Sequence, residues 1–218
     1  MPSAAALATV APYSGWLQRS GEAVAEDLDG FYALLQRWQR VQNLVSRETL
    51  SAFWARHAAD SLQLVKWLRP SDQRFLDMGS GGGLPGIPLA IARKGTASNL
   101  LLVEPTQRKA SFLRTVAREL DLSVEVRAAR MEEIDSRETF GPDVITSRAL
   151  APLPVLCTLA ARFFGPETHA LFHKGREFVE ELEETRALWH LDVLVHPSDT
   201  SADGAILEIR NLLSRTKS

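Results

Sequence analysis

The sequence predicts an α/β protein: a mostly parallel sheet with helices on both faces, closed by an antiparallel hairpin and preceded by a helical segment. Three observations carry this reading. Short apolar runs alternate with helical stretches through the middle of the chain. The last two apolar runs have only "PSDTSADG" between them, too short for a crossover helix. Ahead of the first run, the apolar residues recur at helical spacing alone.

Taken in order, residues 1–21 begin "MPSAAALATVAPYSGW", small and Ala-rich, and predict a flexible tail. The stretch lacks a basic start, so neither a secretory signal nor a transit peptide fits it. From Phe31, the residues Leu34, Leu35, Trp38, Val41 and Val45 form one helical stripe. Ala58, Leu62, Val65 and Leu68 form a second over about 48–68, and Pro70 and Ser71 mark the break. Residues 22–70 therefore read as a helical extension and 71–218 as the main domain. Apolar runs at 74–78, 100–103, 124–127, 143–147 and 169–173 predict five parallel strands. Helices are expected over about 85–94, 106–121, 153–164 and 176–188, two of them closed by Gly95 and Gly165. "LDVLVH" (191–196) and "AILEIR" (205–210) supply the hairpin at the sheet edge.

At 218 residues the chain is long enough to bury a substantial core. A formal net charge of −2 does not select a partner, because a nucleic acid responds to a local basic face rather than to the total. The single cysteine, Cys157, excludes a disulfide framework and points to a reducing, cytoplasmic setting. It lies in "PLPVLCTLAARFF", an apolar helix face, so packing is expected of it rather than nucleophilic chemistry. No metal-ligand spacing links the five histidines to it.

The chemistry concentrates in "FLDMGSGGGLPGIPLA" (75–90). Gly81-x-Gly83-x-x-Gly86 matches the dinucleotide fingerprint, and Glu104 follows where that fingerprint places an acid. The glycines alone do not choose the ligand, since any nucleoside cofactor here needs a tight turn and close backbone approach. Asp77 ends the strand where a dinucleotide's pyrophosphate would sit. A carboxylate about 4–5 Å from a phosphate is repelled by roughly 3–4 kcal/mol at an effective dielectric near 20. S-Adenosylmethionine has no phosphate and carries an ammonium, from which Asp77 is expected to accept a hydrogen bond directly or through water. Asp77-x-Gly79-x-Gly81-x-Gly83 thus favours the methyl donor over NAD, and Glu104 suits the ribose hydroxyls of either.

Five parallel strands and a terminal hairpin resemble the seven-stranded sheet of class I S-adenosylmethionine-dependent methyltransferases. Several stretches together resemble one family, the RsmG (GidB) methyltransferases of guanine N7 in bacterial 16S ribosomal RNA. The loop from Asp77 to Leu89 is similar to that family's glycine motif, with Leu84-Pro85-Gly86-Ile87-Pro88 intact. Asn43, Leu44, Arg56, His57, Asp60 and Ser61 are similar to its upstream motif. "RKASFLR" (108–114), "SRAL" (147–150) and "HKG" (173–175) follow in the family's order. The resemblance implies cofactor contacts at Gly79, Leu84, Met131, Glu132 and Arg148, and a target guanine in the decoding-region loop of the small subunit. Met131 departs from the smaller residue common at its position.

Guanine N7 needs no general base, having a lone pair and no proton, so alignment is the main requirement. "TSRA" at the exit of the fourth strand also lacks the [ND]-P-P-[YF] turn of enzymes that methylate exocyclic amines. Arg148 is the candidate catalytic residue, by orientation, whether it holds the cofactor or the guanine and its phosphate. Arg108, Lys109, Lys174, Arg56 and His57 are candidate RNA contacts, with a structural hydrogen-bond role also open for His57. Six basic residues over 105–130 oppose three acidic ones, whereas 177–192 is acidic, which suggests an RNA face and a solvent face. A monomer is the default expectation. The alternatives are a methyltransferase of this fold with another substrate, and an NAD-binding protein built on the literal fingerprint.

Overall fold

The computed structural model describes residues 1–40, 44, 51–139 and 141–215. Seven strands form one sheet: β1 (Arg74–Met78), β2 (Asn99–Val103), β3 (Val124–Arg127), β4 (Val144–Arg148), β5 (His169–Lys174), β6 (Trp189–Pro197) and β7 (Ala205–Ser214). Their order is β3-β2-β1-β4-β5-β7-β6, with β7 antiparallel to both of its neighbours and the other pairs parallel. This is the α/β class expected, and each predicted strand lies within a few residues of the observed one. The class I plan, with a terminal antiparallel hairpin, is therefore present in full.

The helices in chain order are α1 (Ala4–Val10), α2 (Gly21–Gln39), α3 (the helical stretch 54–67), α4 (Gly86–Arg93), α5 (Gln107–Glu119), α6 (Leu153–Ala160) and α7 (Phe178–Leu188). Strand alternation divides the core between two faces. Phe75, Leu100, Leu102, Val144 and Leu171 pack under α1–α5, against Phe31, Leu62, Ile87 and Phe112 among others. Leu76, Leu101, Ile145, Phe172 and Leu207 point the opposite way and pack with Leu156 of α6 and Leu182 of α7. Cys157 is fully buried on that second face, and burial pushes its thiol up to about 12.

The N-terminus departs from the expectation of a flexible tail. The Ser3 hydroxyl caps α1 by accepting from the Ala6 amide, and also donates to Asp29 of α2. Ala6, Val10 and Tyr13 are buried in the first-face core. Arg19 binds Asp27 and the Ile91 carbonyl of α4, tying this segment to the main fold. Ala6 and Val10 are the buried residues of α1, and they let it sit against α2 although most of its other residues are exposed.

The second predicted helix is present over its described part but irregular. It runs through a π-helical turn (Trp54–Ala59), an α turn (Asp60–Leu62) and a 3-10 turn (Gln63–Trp67). Val41, Asn43, Val45 and residues 48–50 of the predicted stripes and motif lie outside the described residues. The sheet reverses direction at β1, which lies between β2 and β4, and a crevice opens outside the carboxyl ends of these strands.

Candidate active site

The glycine loop follows β1 into that crevice. Gly79, Gly81 and Gly83 have φ of +68°, +54° and +90°, a region that costs other residues strain. A Cβ on Gly83 would come within 2.6 Å of Ile87, and one on Gly79 within 2.6 Å of Leu150. At Gly81 a Cβ would meet only the Gly79 carbonyl, at 3.9 Å, so this glycine opens the floor of the cleft. The cleft encloses about 440 Å³ and is lined by Gly79, Gly81, Leu84, Glu104, Lys109 and Arg148, with His57 at its side. That volume suits a nucleoside-sized ligand.

The loop's amides bear on which ligand fits. Ser80 N donates to Val103 O, Gly81 N to Glu104 Oε2, and Gly83 N and Leu84 N both to Ser80 O. These amides are spent inside the fold and do not form the nest that a pyrophosphate requires. Glu104 also accepts from Thr106 N at 2.8 Å, which locks its carboxylate at the cleft wall. Two oxygens offer about four lone-pair sites, so capacity remains for a ribose diol. A cleft with a glycine floor, a fixed carboxylate and four of its loop amides already bonded within the fold fits S-adenosylmethionine better than a dinucleotide.

Asp77 is placed differently from the expectation. It is 2% exposed and lies beneath the loop, outside the lining of the cleft. Thr146 Oγ1 donates to its Oδ1 at 2.7 Å, and Oδ2 packs against Gly86, where a Cβ would come within 2.7 Å. Burial pushes this carboxyl up to about 6. A direct contact to a bound ammonium is not available in this geometry; Asp77 buttresses the start of α4 from below. Asp77 is the penultimate residue of β1, and alternation puts it on the face of Phe75, which is covered by the helices.

Met131 and Glu132 sit on the 3-10 turn after β3, with the Met131 side chain in the second-face core and Glu132 exposed. Neither lines the glycine-loop cleft. Gly83 also stays off the lining and serves the close packing of α4. Lys109 lines the cleft, while Arg108 is exposed on the first turn of α5. Lys174 is not the open phosphate contact expected: its ammonium binds Glu181 at 2.5 Å and the Ala151 carbonyl at 3.2 Å. Of the basic stretch, Arg118 pairs with Glu119 and Arg127 with Glu125, so part of the predicted RNA charge is neutralised locally.

Arg148 leaves β4 at the cleft and meets α3. Its Nη1 donates to Asp60 Oδ2 and to the Arg56 carbonyl, each at 2.9 Å, and its Nη2 donates to His57 Nδ1 at 2.9 Å. An imidazole nitrogen facing a guanidinium must offer its lone pair, so His57 is neutral. Burial and the Arg148 charge push it down to about 4 accordingly. Burial works against the charge on Asp60, yet His173, the Thr200 hydroxyl and Arg148 together hold it below the usual carboxylate range. Thr200 Oγ1 and Gln63 Nε2 both donate to Asp60 Oδ1, at 2.7 and 2.8 Å. Sequence reasoning did not single out Thr200, which lies in the β6–β7 loop 140 residues from its partner. Beyond Arg148 lies a second cleft of about 390 Å³, bordered by α3, the ends of β4 and β5 and the β6–β7 loop.

Among the described residues, no helix is long and apolar enough to cross a membrane, and no group of three or more His, Cys, Asp or Glu is placed to hold a metal.

Known proteins with the same architecture include a ribosomal protein L11 methylase from Lactobacillus delbrueckii subsp. bulgaricus. It is 15% identical, with a TM-score of 0.56, covering 71% of this chain and 78% of that one, a likeness of fold. The sequence comparisons are closer. A ribosomal RNA small subunit methyltransferase G of Cereibacter sphaeroides is 43% identical over 190 residues, covering 86% of this chain and 91% of the relative. The protein of that description from Chelativorans sp. is 40% identical over 197 residues, covering 88% and 93%. The GidB family, rRNA small subunit methyltransferase G, matches over residues 24–209, helical extension included, and the chain belongs to that family.

Proposed function

We propose that this chain transfers a methyl group from S-adenosylmethionine to N7 of a guanine in 16S ribosomal RNA, acting on the small ribosomal subunit as a cytoplasmic monomer. The cofactor supplies an electrophilic methyl on a sulfonium, which leaves as a neutral thioether while the N7 lone pair forms the new bond. No proton departs, so the chain needs to bind, align and exclude water rather than supply a base. Gly81 opens the floor of the cofactor cleft, Glu104 takes the ribose, and Arg148 stands where acceptor and cofactor meet. Arg56, exposed on α3 beside the second cleft, and Lys109, at the glycine-loop cleft, are candidates for RNA contact.

The observation that carries the reading is the spent set of loop amides beside a fixed Glu104, joined to membership of the family. The test is titration of the purified protein with S-adenosylmethionine and with NAD, followed by methyl incorporation into purified small subunits. Binding of S-adenosylmethionine with incorporation into 16S RNA is expected; binding of NAD alone would refute it.

A further inference from the structure

The reading so far assigns the second cleft no occupant. α3 contributes Arg56, His57 and Asp60 to it, the strand ends Arg148 and His173, and the β6–β7 loop Thr200. Arg148 lines both this cleft and the glycine-loop cleft, and with His57 and Ala149, which also line both, it forms the partition between them. A guanidinium carries five N–H donors. Three are taken by Arg56 O, Asp60 Oδ2 and His57 Nδ1. No partner for the other two is found among the described residues, and the side chain is 18% exposed where it lines both clefts.

Methylation at N7 dictates what a partition in that place must do. The base has to turn its N7 edge toward the cofactor cleft. On this edge guanine shows the O6 acceptor beside N7, whereas adenine shows its N6 amino donor. A fixed donor opposite position 6 attracts guanine and repels adenine. The same donor must stay off N7, whose lone pair has to reach the methyl carbon. A free arginine would bridge O6 and N7 and block the reaction, so its direction has to be imposed from outside.

We propose that the second cleft receives the target guanine and that Arg148 reads its O6, with Asp60 and His57 as positioning residues that hold the guanidinium off N7. The inference rests on the N7 reading above. Asp60 suits the task because it is itself clamped, by Thr200 and Gln63 on one oxygen and by Arg148 on the other. The contact to His57 Nδ1 fixes the remaining rotation of the guanidinium plane. The β6–β7 loop thereby becomes part of the specificity device, through one hydroxyl.

The experiment compares small subunits reconstituted with guanine or with 2-aminopurine at the target position. 2-Aminopurine keeps N7 and lacks O6. The readout is the ratio of kcat/KM for the two substrates, taken on one enzyme preparation, so loss of folded protein cancels. Intrinsic differences in N7 reactivity are common to every variant and cancel in the comparison. Arg148→Met should lower the guanine preference by about tenfold or more relative to wild type. Arg148→Lys, which keeps the charge without the fork, and Asp60→Asn should both give intermediate ratios. An unchanged ratio in Arg148→Met, with both substrates slowed equally, would overturn the proposal; a cofactor-holding or phosphate-holding arginine gives that result. A wild-type enzyme that methylates neither RNA refutes the N7 reading as well, a different result from an unchanged ratio.

Discussion

Two polar clusters sit at opposite ends of β5. At the carboxyl end, Asp60, His57, His173 and Arg148 join α3 to the sheet and border both clefts. At the amino end, His169 donates to Asp72 at 3.0 Å and lies 3.7 Å from Glu208, which in turn binds His196 and Arg210. The side chains of His169, Asp72 and Glu208 are only 0, 2 and 4% exposed, and none of them lines either cleft. Both clusters combine histidines, carboxylates and an arginine. One leaves guanidinium donors facing an opening; the other is sealed. The difference separates polar groups kept for a ligand from polar groups kept to lock the fold, and it rests on where the unspent donors point rather than on residue type.

The sealed cluster should fail in stability and the open one in catalysis. His169→Ala removes one donor to the buried Asp72, leaving the Arg69 amide as the other, and empties a fully buried site, so it should cost about 2–4 kcal/mol in urea denaturation, with activity per folded molecule unchanged. Asp60→Asn should cost about 1 kcal/mol in the same assay, because Arg148 can be rehydrated, yet should slow methyl transfer to guanine about 10–100-fold. Reversed effects would break the comparison.

Acid should distinguish the clusters more gently. The folded-state pKa of His57 lies below its unfolded value, so the unfolded chain binds more protons as pH falls from about 6.5 toward 4. Stability from this residue is thus present above that window and lost through it, by about 1–2 kcal/mol after allowance for solvent screening. Burial opposes the charge on Glu208, but His196 and Arg210 hold it below the usual carboxylate range, so its contribution is lost only at lower pH. Urea midpoints measured from pH 7 to 4 should show a slope that His57→Gln flattens and that a substitution at Glu208 leaves in place.

Much of this molecule was legible in the sequence. Alternation of apolar runs placed all seven strands, because buried parallel strands and amphipathic helices have distinct periods. The glycine loop and Glu104 were legible because their chemistry is local: a tight turn and a strand end. The placement of Asp77 was not, since its partners are Thr146 on a strand 69 residues later and the backbone at Gly86. Lys174 looked free because its partner, Glu181, lies across a loop and one turn into α7. The hold on Arg148 comes from Asp60, 88 residues earlier, and the hold on Asp60 comes from Thr200, 140 residues later. No local pattern encodes such pairs; they appear only once the strands are ordered. The N-terminal segment was misjudged for a related reason, since small apolar residues signal close packing only when a partner helix is known.

The central claim is that the junction of the two clefts aligns guanine N7 with a methyl donor. 16S RNA from cells with and without this gene can be reduced with borohydride and cleaved with aniline, which breaks the chain at 7-methylguanine. One scission in the decoding-region loop, present with the gene and absent without it, is the predicted result. An identical cleavage pattern in both RNAs would contradict the account.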